Sequence, residues 1–352
     1  MSANPWIVPV GGFLGAGKTT LIISAARVLR NRGVRAAAIL NDQGGGLVDT
    51  AHVRRNGIGA SEVAGACFCC RFSELIDAAE ELRALSPNVI FAEPVGSCTD
   101  LSATILQPLK QDFRDRYRVA PLTVVVDPGQ AGEFAQPERD RDLGFLFDKQ
   151  IGEADIVAFT KCDLHEWFPP LSAPEIRYVS GATGQGISVW LDEVLSGLLP
   201  CGTRILDLDY VRYAQAEAAL GWLNWSASFR ADQPLSASQL VGPLIDNLQR
   251  ALTQAGAKLA HLKVIDEAET SYLKAAVTNN ASEPIVEGDL IASPEFMHHL
   301  RVNLRAVLDA PELERIFRSE LANLRGLRKD EVLQCFSPSP PQPERRFASV
   351  FS

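Results

Sequence analysis

The chain lacks a surplus of positive charge: across 352 residues, 34 Lys and Arg stand against 43 Asp and Glu, a formal net charge of −9. With no basic field to displace counterions, a nucleic-acid backbone is excluded as the main partner. A long apolar run near the start is also missing. The segment Trp6–Val10 is too short for export or for spanning a bilayer, and no charged leader precedes it. A soluble, cytoplasmic protein with no membrane partner is therefore expected. The seven cysteines do not make a disulfide framework, because the chain is long and shows no export signal; they read as reduced thiols. What is present is ample apolar material, 46% of residues, and enough length for two domains.

The most informative stretch is Gly12-Phe13-Leu14-Gly15-Ala16-Gly17-Lys18-Thr19-Thr20. Its G-x-x-x-x-G-K-T spacing follows an apolar run and precedes a helical segment, the order of a phosphate-binding loop. Glycines let backbone N–H groups curl around anionic oxygens, and the following helix points its positive end at them. Gly12, Gly15, Ala16, Gly17, Lys18, Thr19 and Thr20 are thus the expected nucleoside triphosphate cradle. Lys18 would reach the outer phosphates, and the Thr19 hydroxyl would hold Mg2+.

Strand and helix signals alternate through the N-terminal portion, which predicts an α/β fold with a mostly parallel sheet and helices on both faces. A helix ending near Gly33 is followed by a strand at 34–40 and by Asn41-Asp42-Gln43-Gly44-Gly45-Gly46-Leu47-Val48-Asp49, read as a loop at a strand's carboxyl end. Three thiols crowd into Cys67-Phe68-Cys69-Cys70 just before Ser73, the expected N-cap of a helix reaching 85. Thiolates at a helix start suit a soft metal ion or redox chemistry. Three sulfurs do not fill a tetrahedral site, so a further ligand or an open position is implied.

The next strand delivers Glu93, followed by Pro94-Val95-Gly96; beside a phosphate loop this carboxylate is placed to hold magnesium's waters or sense the third phosphate. Cys98 has no evident role, and Asp100 is read as the cap of a helix at 101–113. A strand at 155–159 leads to Thr160-Lys161-Cys162-Asp163. There Asp163 can accept two hydrogen bonds from guanine while the Lys161 stem packs along the ring, which favours GTP over ATP. Ser180-Gly181 opens a loop suited to contact the base oxygen.

These segments together resemble the CobW family of phosphate-loop GTPases, relatives of the GTPases that mature urease and hydrogenase. The resemblance is carried by GGFLGAGKTTL, NDQGGGLVD, CFCC, FAEPVG, VVVD, FDKQIGEADIVAFTKCDL and VSGATGQG, covering most of residues 5–197 in order. It implies a GTPase that binds GTP and GDP with Mg2+, with Lys18, Asp42 and Glu93 in the catalytic machinery and Thr19 and Glu93 at the magnesium. It further implies that Cys67, Cys69 and Cys70 bind a transition metal, Zn2+ or Co2+, for delivery to a client metalloprotein or metal-cofactor enzyme. The chain departs from the family in three places. Thr160 replaces the asparagine whose amide braces the guanine loop, Ala66 replaces a glycine before the first cysteine, and Pro94 stiffens a moving switch.

Beyond residue 204 the character changes. An alternating strand from Leu223, a helix capped by Ser236, strands at 259–265, 272–277 and 300–307, and a helix at 311–324 predict a smaller C-terminal α+β domain at 205–336. Residues 1–204 then form the GTPase domain, and the Pro- and Ser-rich tail 337–352 is expected to be disordered. Trp222 and Trp225 read as core, and His298-His299 as a solvated pair rather than metal ligands. Only five scattered histidines argue against metal storage. Two other functions fit the same motifs: a nucleotide-gated assembly factor for a metallo- or corrinoid enzyme without metal transfer, and a phosphotransferase with structural cysteines. Self-association as a homodimer is compatible with the sequence.

Overall fold

In a computed structural model of the chain, the described residues are 4–45 and 48–351; Gly46 and Leu47, from the triple-glycine loop singled out above, lie outside them. Contacts divide the chain into two units. The first comprises Met1–Gln43, Asp49–Ala216 and Pro340–Ser352, and the second Gly44–Val48 and Glu217–Ser339.

In the first unit, short apolar runs separated by helices become strands of one parallel sheet. They are β1 (Trp6–Gly12), β2 (Ala36–Asp42), β3 (Gly59–Ala64), β4 (Val89–Glu93), β5 (Arg118–Val119), β6 (Thr123–Val126), β7 (Ile156–Phe159) and β8 (Ile176–Tyr178). The order is β3-β2-β4-β1-β6-β7-β8, with β5 also beside β1. Trp6 pairs with Val89 and Gly12 with Val125, all in parallel register. Every residue of β4, β6 and β7 is buried, the continuous burial that a parallel sheet covered on both faces requires. Parallel pairing puts the carboxyl ends of β1, β2, β3 and β4 at one end of the sheet. The four loops that carry the sequence motifs leave from there.

Two capping expectations fail locally. The helix after the cysteines runs Phe72–Leu82 with Arg71, not Ser73, at its N-cap, because the turn closed by Cys70 N–H on Cys67 O leads straight into it. Asp100 caps nothing with its side chain; it sits in the left-handed region at φ 68° and heads an irregular π turn over Ser102–Leu106.

The second unit is an antiparallel sheet of β9 (Leu220–Leu235), β10 (Lys258–Ala268), β11 (Tyr272–Val277), β12 (Ile285–Gly288), β13 (Glu295–Val307) and β14 (Gly326–Phe336), ordered β12-β11-β10-β13-β9-β14. Helices Ala237–Gln254 and Ala310–Leu321 supply Leu244, Leu248 and Phe317 to a core shared with Trp225, Phe229 and Leu304. Trp222 and Trp225 are buried, as read from the sequence. Ser236 accepts from Gln239 N–H while the Gln239 side chain answers its own N–H, a reciprocal cap whose loss costs about 1 kcal/mol. No helix among the described residues is long and apolar enough to cross a membrane.

His298 is not solvated. It is fully buried, with Nδ1 2.8 Å from the equally buried Asp266 Oδ2. Burial alone would lower its pKa, but the hydrogen bond and charge of Asp266 outweigh this and hold the imidazole above its ordinary 6.5. A raised folded value means the stabilisation is complete below the unfolded pKa and disappears as pH rises through the folded one. Thermal unfolding of the chain should therefore show His298→Gln losing stability relative to wild type in acid, with the two converging as pH rises through the raised folded-state pKa. A difference that does not vary with pH would show that the imidazole stays neutral.

Candidate nucleotide and thiol site

The phosphate loop joins β1 to helix Lys18–Asn31 through a backbone only glycine tolerates. Gly12 has φ 133°, and a Cβ there would meet Val125 O at 2.3 Å; Gly17, at φ 95°, forms the helix N-cap. Lys18 Nζ donates to Gly12 O at 2.9 Å and Phe13 O at 3.2 Å, folding over the loop it would serve. Thr19 Oγ1 donates to Glu93 Oε1 at 3.0 Å, and both residues are buried. The sequence motifs 74 residues apart thus meet directly. A hydroxyl and a carboxylate touching below a glycine cradle are a donor set of the right hardness for Mg2+, with Lys18 alongside for phosphate charge. Bound there, the ion would neutralise charge on the outer phosphates.

Of the other sequence-predicted segments, those at Thr160 and Gly181 lie against this loop and the start of the helix that follows it. Thr160 Oγ1 lies 2.6 Å from Ala16 O and 3.2 Å from Val126 O. A hydroxyl has one proton to give, and the shorter contact ties the loop after β7 to the phosphate loop. Lys161, at φ 54°, pairs with Asp127, whose carboxylate also caps helix Pro128–Phe134 through Gly129 N–H. Asp163 is exposed, and Ser180 is buried. A Cβ on Gly181 would meet Thr20 at 2.8 Å, so this loop is held against the start of the helix.

The cysteine cluster follows β3. Cys67 Sγ lies 2.8 Å from Cys69 Sγ and 3.3 Å from Cys70 Sγ, while Cys69 and Cys70 are 3.7 Å apart. All three sulfurs fall within 4.8 Å of one another. Tetrahedral zinc with 2.3 Å Zn–S bonds separates its sulfurs by about 3.8 Å, so these three can take up such an ion with small outward shifts. Hydrogen bonds from Cys69, Cys70 and Cys98 hold the Cys67 thiol well below its ordinary pKa despite burial. Cys69, giving a hydrogen bond to Cys67, is correspondingly raised, and Cys70 is pushed up to about 11. The cluster therefore stabilises one thiolate among thiol donors.

Asn41 was passed over in the sequence and proves central. Its amide donates to Val63 O at 2.9 Å and Ala66 O at 2.7 Å, and its Oδ1 accepts from Phe68 N–H at 2.8 Å. The residue beside Asp42 thus clamps the cysteine loop. An asparagine at a strand's carboxyl end followed by an acid and glycines was the available signal.

The tail, expected to be disordered, forms neither helix nor strand among its described residues, but from Pro340 on it is anchored on the same unit. Gln342 N–H donates to Cys70 Sγ at 3.0 Å and Glu344 N–H to Cys69 O at 2.9 Å. Glu344 Oε2 accepts from Ser73 N–H and Oγ, which explains why that hydroxyl does not cap its helix. Arg346 Nε donates to the buried Asp100 Oδ2 at 2.7 Å. Composition predicted disorder because it does not reveal that these charges have partners.

No curated protein matches the chain. Among solved structures, a zinc-bound triple mutant of the YjiA GTPase is 19% identical, covering 92% of this chain and all of its own, with TM-score 0.38. The zinc-bound YjiA GTPase from E. coli is 18% identical with the same coverage and TM-score 0.33. HypB from Helicobacter pylori in complex with nickel is 15% identical, covering 56% of this chain and 90% of its own, with TM-score 0.43. Residues 6–168 match the family model described as the CobW/HypB/UreG nucleotide-binding domain. That span runs from the first residue of β1, through the phosphate loop and the cysteines, to just past Lys161 and Asp163, so it is this stretch of the chain that is similar to the CobW/HypB/UreG nucleotide-binding domain.

Proposed function

We propose that the chain is a GTP-binding and slowly GTP-hydrolysing metallochaperone, which takes up Zn2+ or Co2+ on Cys67, Cys69 and Cys70 and passes it to a client metalloprotein or metal-cofactor enzyme. One observation carries the reading: the Thr19–Glu93 contact and the three sulfurs leave the same end of one parallel sheet. Asn41 adds a mechanical link, because its amide grips the cysteine loop while its neighbour Asp42 ends β2 at the same end of the sheet as the phosphate loop.

In this reading Lys18 and the loop amides orient GTP, Thr19 and Glu93 hold Mg2+, and Asp42 and Glu93 respond to the third phosphate. Asp163 and Lys161 select guanine, with Ser180 and Gly181 behind the base. Soft thiolates take the cargo ion, and the hard oxygens keep to magnesium. Hydrolysis relaxes the strand ends that shape the thiol loop, which lowers affinity for the cargo. Work is expected in the cytoplasm, where the thiols stay reduced.

GTP with Mg2+ should tighten metal binding by roughly 5- to 150-fold, the ordinary span for coupled sites, when Zn2+ affinity is measured by competition with a chromophoric chelator. Lys18→Ala should keep the nucleotide-free metal affinity and lose the enhancement, and Cys69→Ser should lose both. Equal affinity with and without nucleotide would sink the coupling.

The tail contacts lead to a separate expectation. Deleting residues 340–352 removes the N–H donor on Cys70 Sγ and the chain that covers it, so Cys70 should react severalfold faster with a disulfide reagent than in the full-length protein. Unchanged reactivity would mean that the tail leaves the thiol uncovered in solution.

A further inference from the structure

The motif supplies three sulfurs, and a soft divalent cation in a closed protein site takes four donors. Cys98 comes from a different loop, the one after β4, and is 1% exposed. Its side chain hydrogen-bonds to both Cys67 and Cys69. We propose that Cys98 is the fourth ligand, so that Cys67, Cys69, Cys70 and Cys98 form a four-thiolate site for a cation of the zinc and cobalt class. The assignment rests on reading the Cys67–Cys70 cluster as a metal site.

The oxygen donors of the neighbourhood are already engaged. Asp100 is held by Tyr210 Oη and Arg346. Glu153, fully buried, accepts from Thr99 Oγ1 at 3.1 Å and Ser102 N–H at 3.0 Å; burial, aided by the charge of Asp100, pushes its pKa up to about 8. A carboxyl that is protonated and twice bonded is a poor ligand, whereas a thiol already touching two cluster sulfurs needs no new path. Among the described residues, the group of sulfurs mutually within 4.8 Å is Cys67, Cys69 and Cys70. Closing a four-thiolate site thus requires Cys98 to draw in toward that group.

The same loop gives Cys98 a role that no motif cysteine has. It begins at Glu93, which accepts from Thr19. Two residues before Cys98, Gly96 lies so near the phosphate loop that a Cβ there would meet Leu14 at 2.7 Å. Gln150 Nε2 donates to Gly96 O at 3.0 Å and Cys98 O at 2.8 Å, which locks these positions into one piece. A shift of the Glu93 loop on nucleotide binding therefore moves a metal-ligating sulfur directly.

The test uses full-length, reduced, metal-free protein titrated with Co2+ alone, and with Co2+ plus GTP and Mg2+, together with X-ray absorption of the Zn2+-loaded wild type. Four sulfur scatterers per zinc are expected. Cys98→Ser should show three, lose about a quarter of the thiolate-to-cobalt charge-transfer intensity, and bind at least about tenfold more weakly, the loss already seen for supporting residues. Cys98→Ala, checked for folding by circular dichroism, should match it. Three sulfurs plus a nitrogen or oxygen in wild type would overturn the assignment even if both variants failed to fold. If Cys69→Ser abolishes binding while Cys98→Ser changes neither intensity nor affinity, only the fourth ligand is wrong. If wild type binds no ion, or Cys69→Ser binds as wild type does, the metal reading falls and the four-thiolate site with it.

Discussion

The contact between Thr19 Oγ1 and Glu93 Oε1 depends on the register that sets β4 beside β1, and most of what this unit can do depends on it in turn. With Trp6 opposite Val89, the ends of the two strands arrive together, so the loop after one carries the phosphate cradle and the loop after the other carries a carboxylate. A shift of one residue along the pair would turn Glu93 to the opposite face of the sheet. Parallel strands lock this register by burying both faces, and β4 is buried at every position. Precision at the site is therefore inherited from the core.

How much of this was legible in the sequence varied with the range of the interactions. Gly12 to Thr20 could be read outright, since the strained glycines, the lysine and the threonine are local requirements of one loop. The sheet followed from alternating apolar runs, and Ser236 announced the start of its helix as an N-cap. Ser73 misled because a long-range partner, Glu344, took its hydroxyl. Strands β12 and β14 gave no apolar signal: their residues are half-buried or exposed, and they are held by backbone pairing to β11 and β9. Asn41, Cys98 and the tail were silent because nothing nearby in sequence reveals what they touch.

Thr160 shows how a departure from a family pattern can preserve its physics. A branched hydroxyl residue is shorter than asparagine, yet it sits against Gly17, where a Cβ would lie 3.7 Å from it, and reaches Ala16 O without extending. What changes is capacity, because a hydroxyl donates one hydrogen bond where an amide donates two. The link between the loops persists with less redundancy, and the neighbouring Lys161–Asp127 pair contributes a second tie from the same loop.

Pro94 raises the question of how a stiffened switch can transmit anything. Proline fixes φ at its own position and disfavours helical backbone in the residue before it, so Glu93 cannot flex freely relative to its strand. Stiffness is a disadvantage for a segment that must melt and refold, but an advantage for one that must move as a body. From Glu93 to Asp100 the chain is pinned at Thr19, packed at Leu14, tied twice by Gln150 and closed at its far end by Arg346 and Tyr210 on Asp100. A segment held at so many points cannot absorb a displacement at one end by disorder in the middle. Any movement of the carboxylate then appears at Cys98, and in the proposed coupling the rigidity that makes Pro94 unusual would carry the phosphate's state to the thiols.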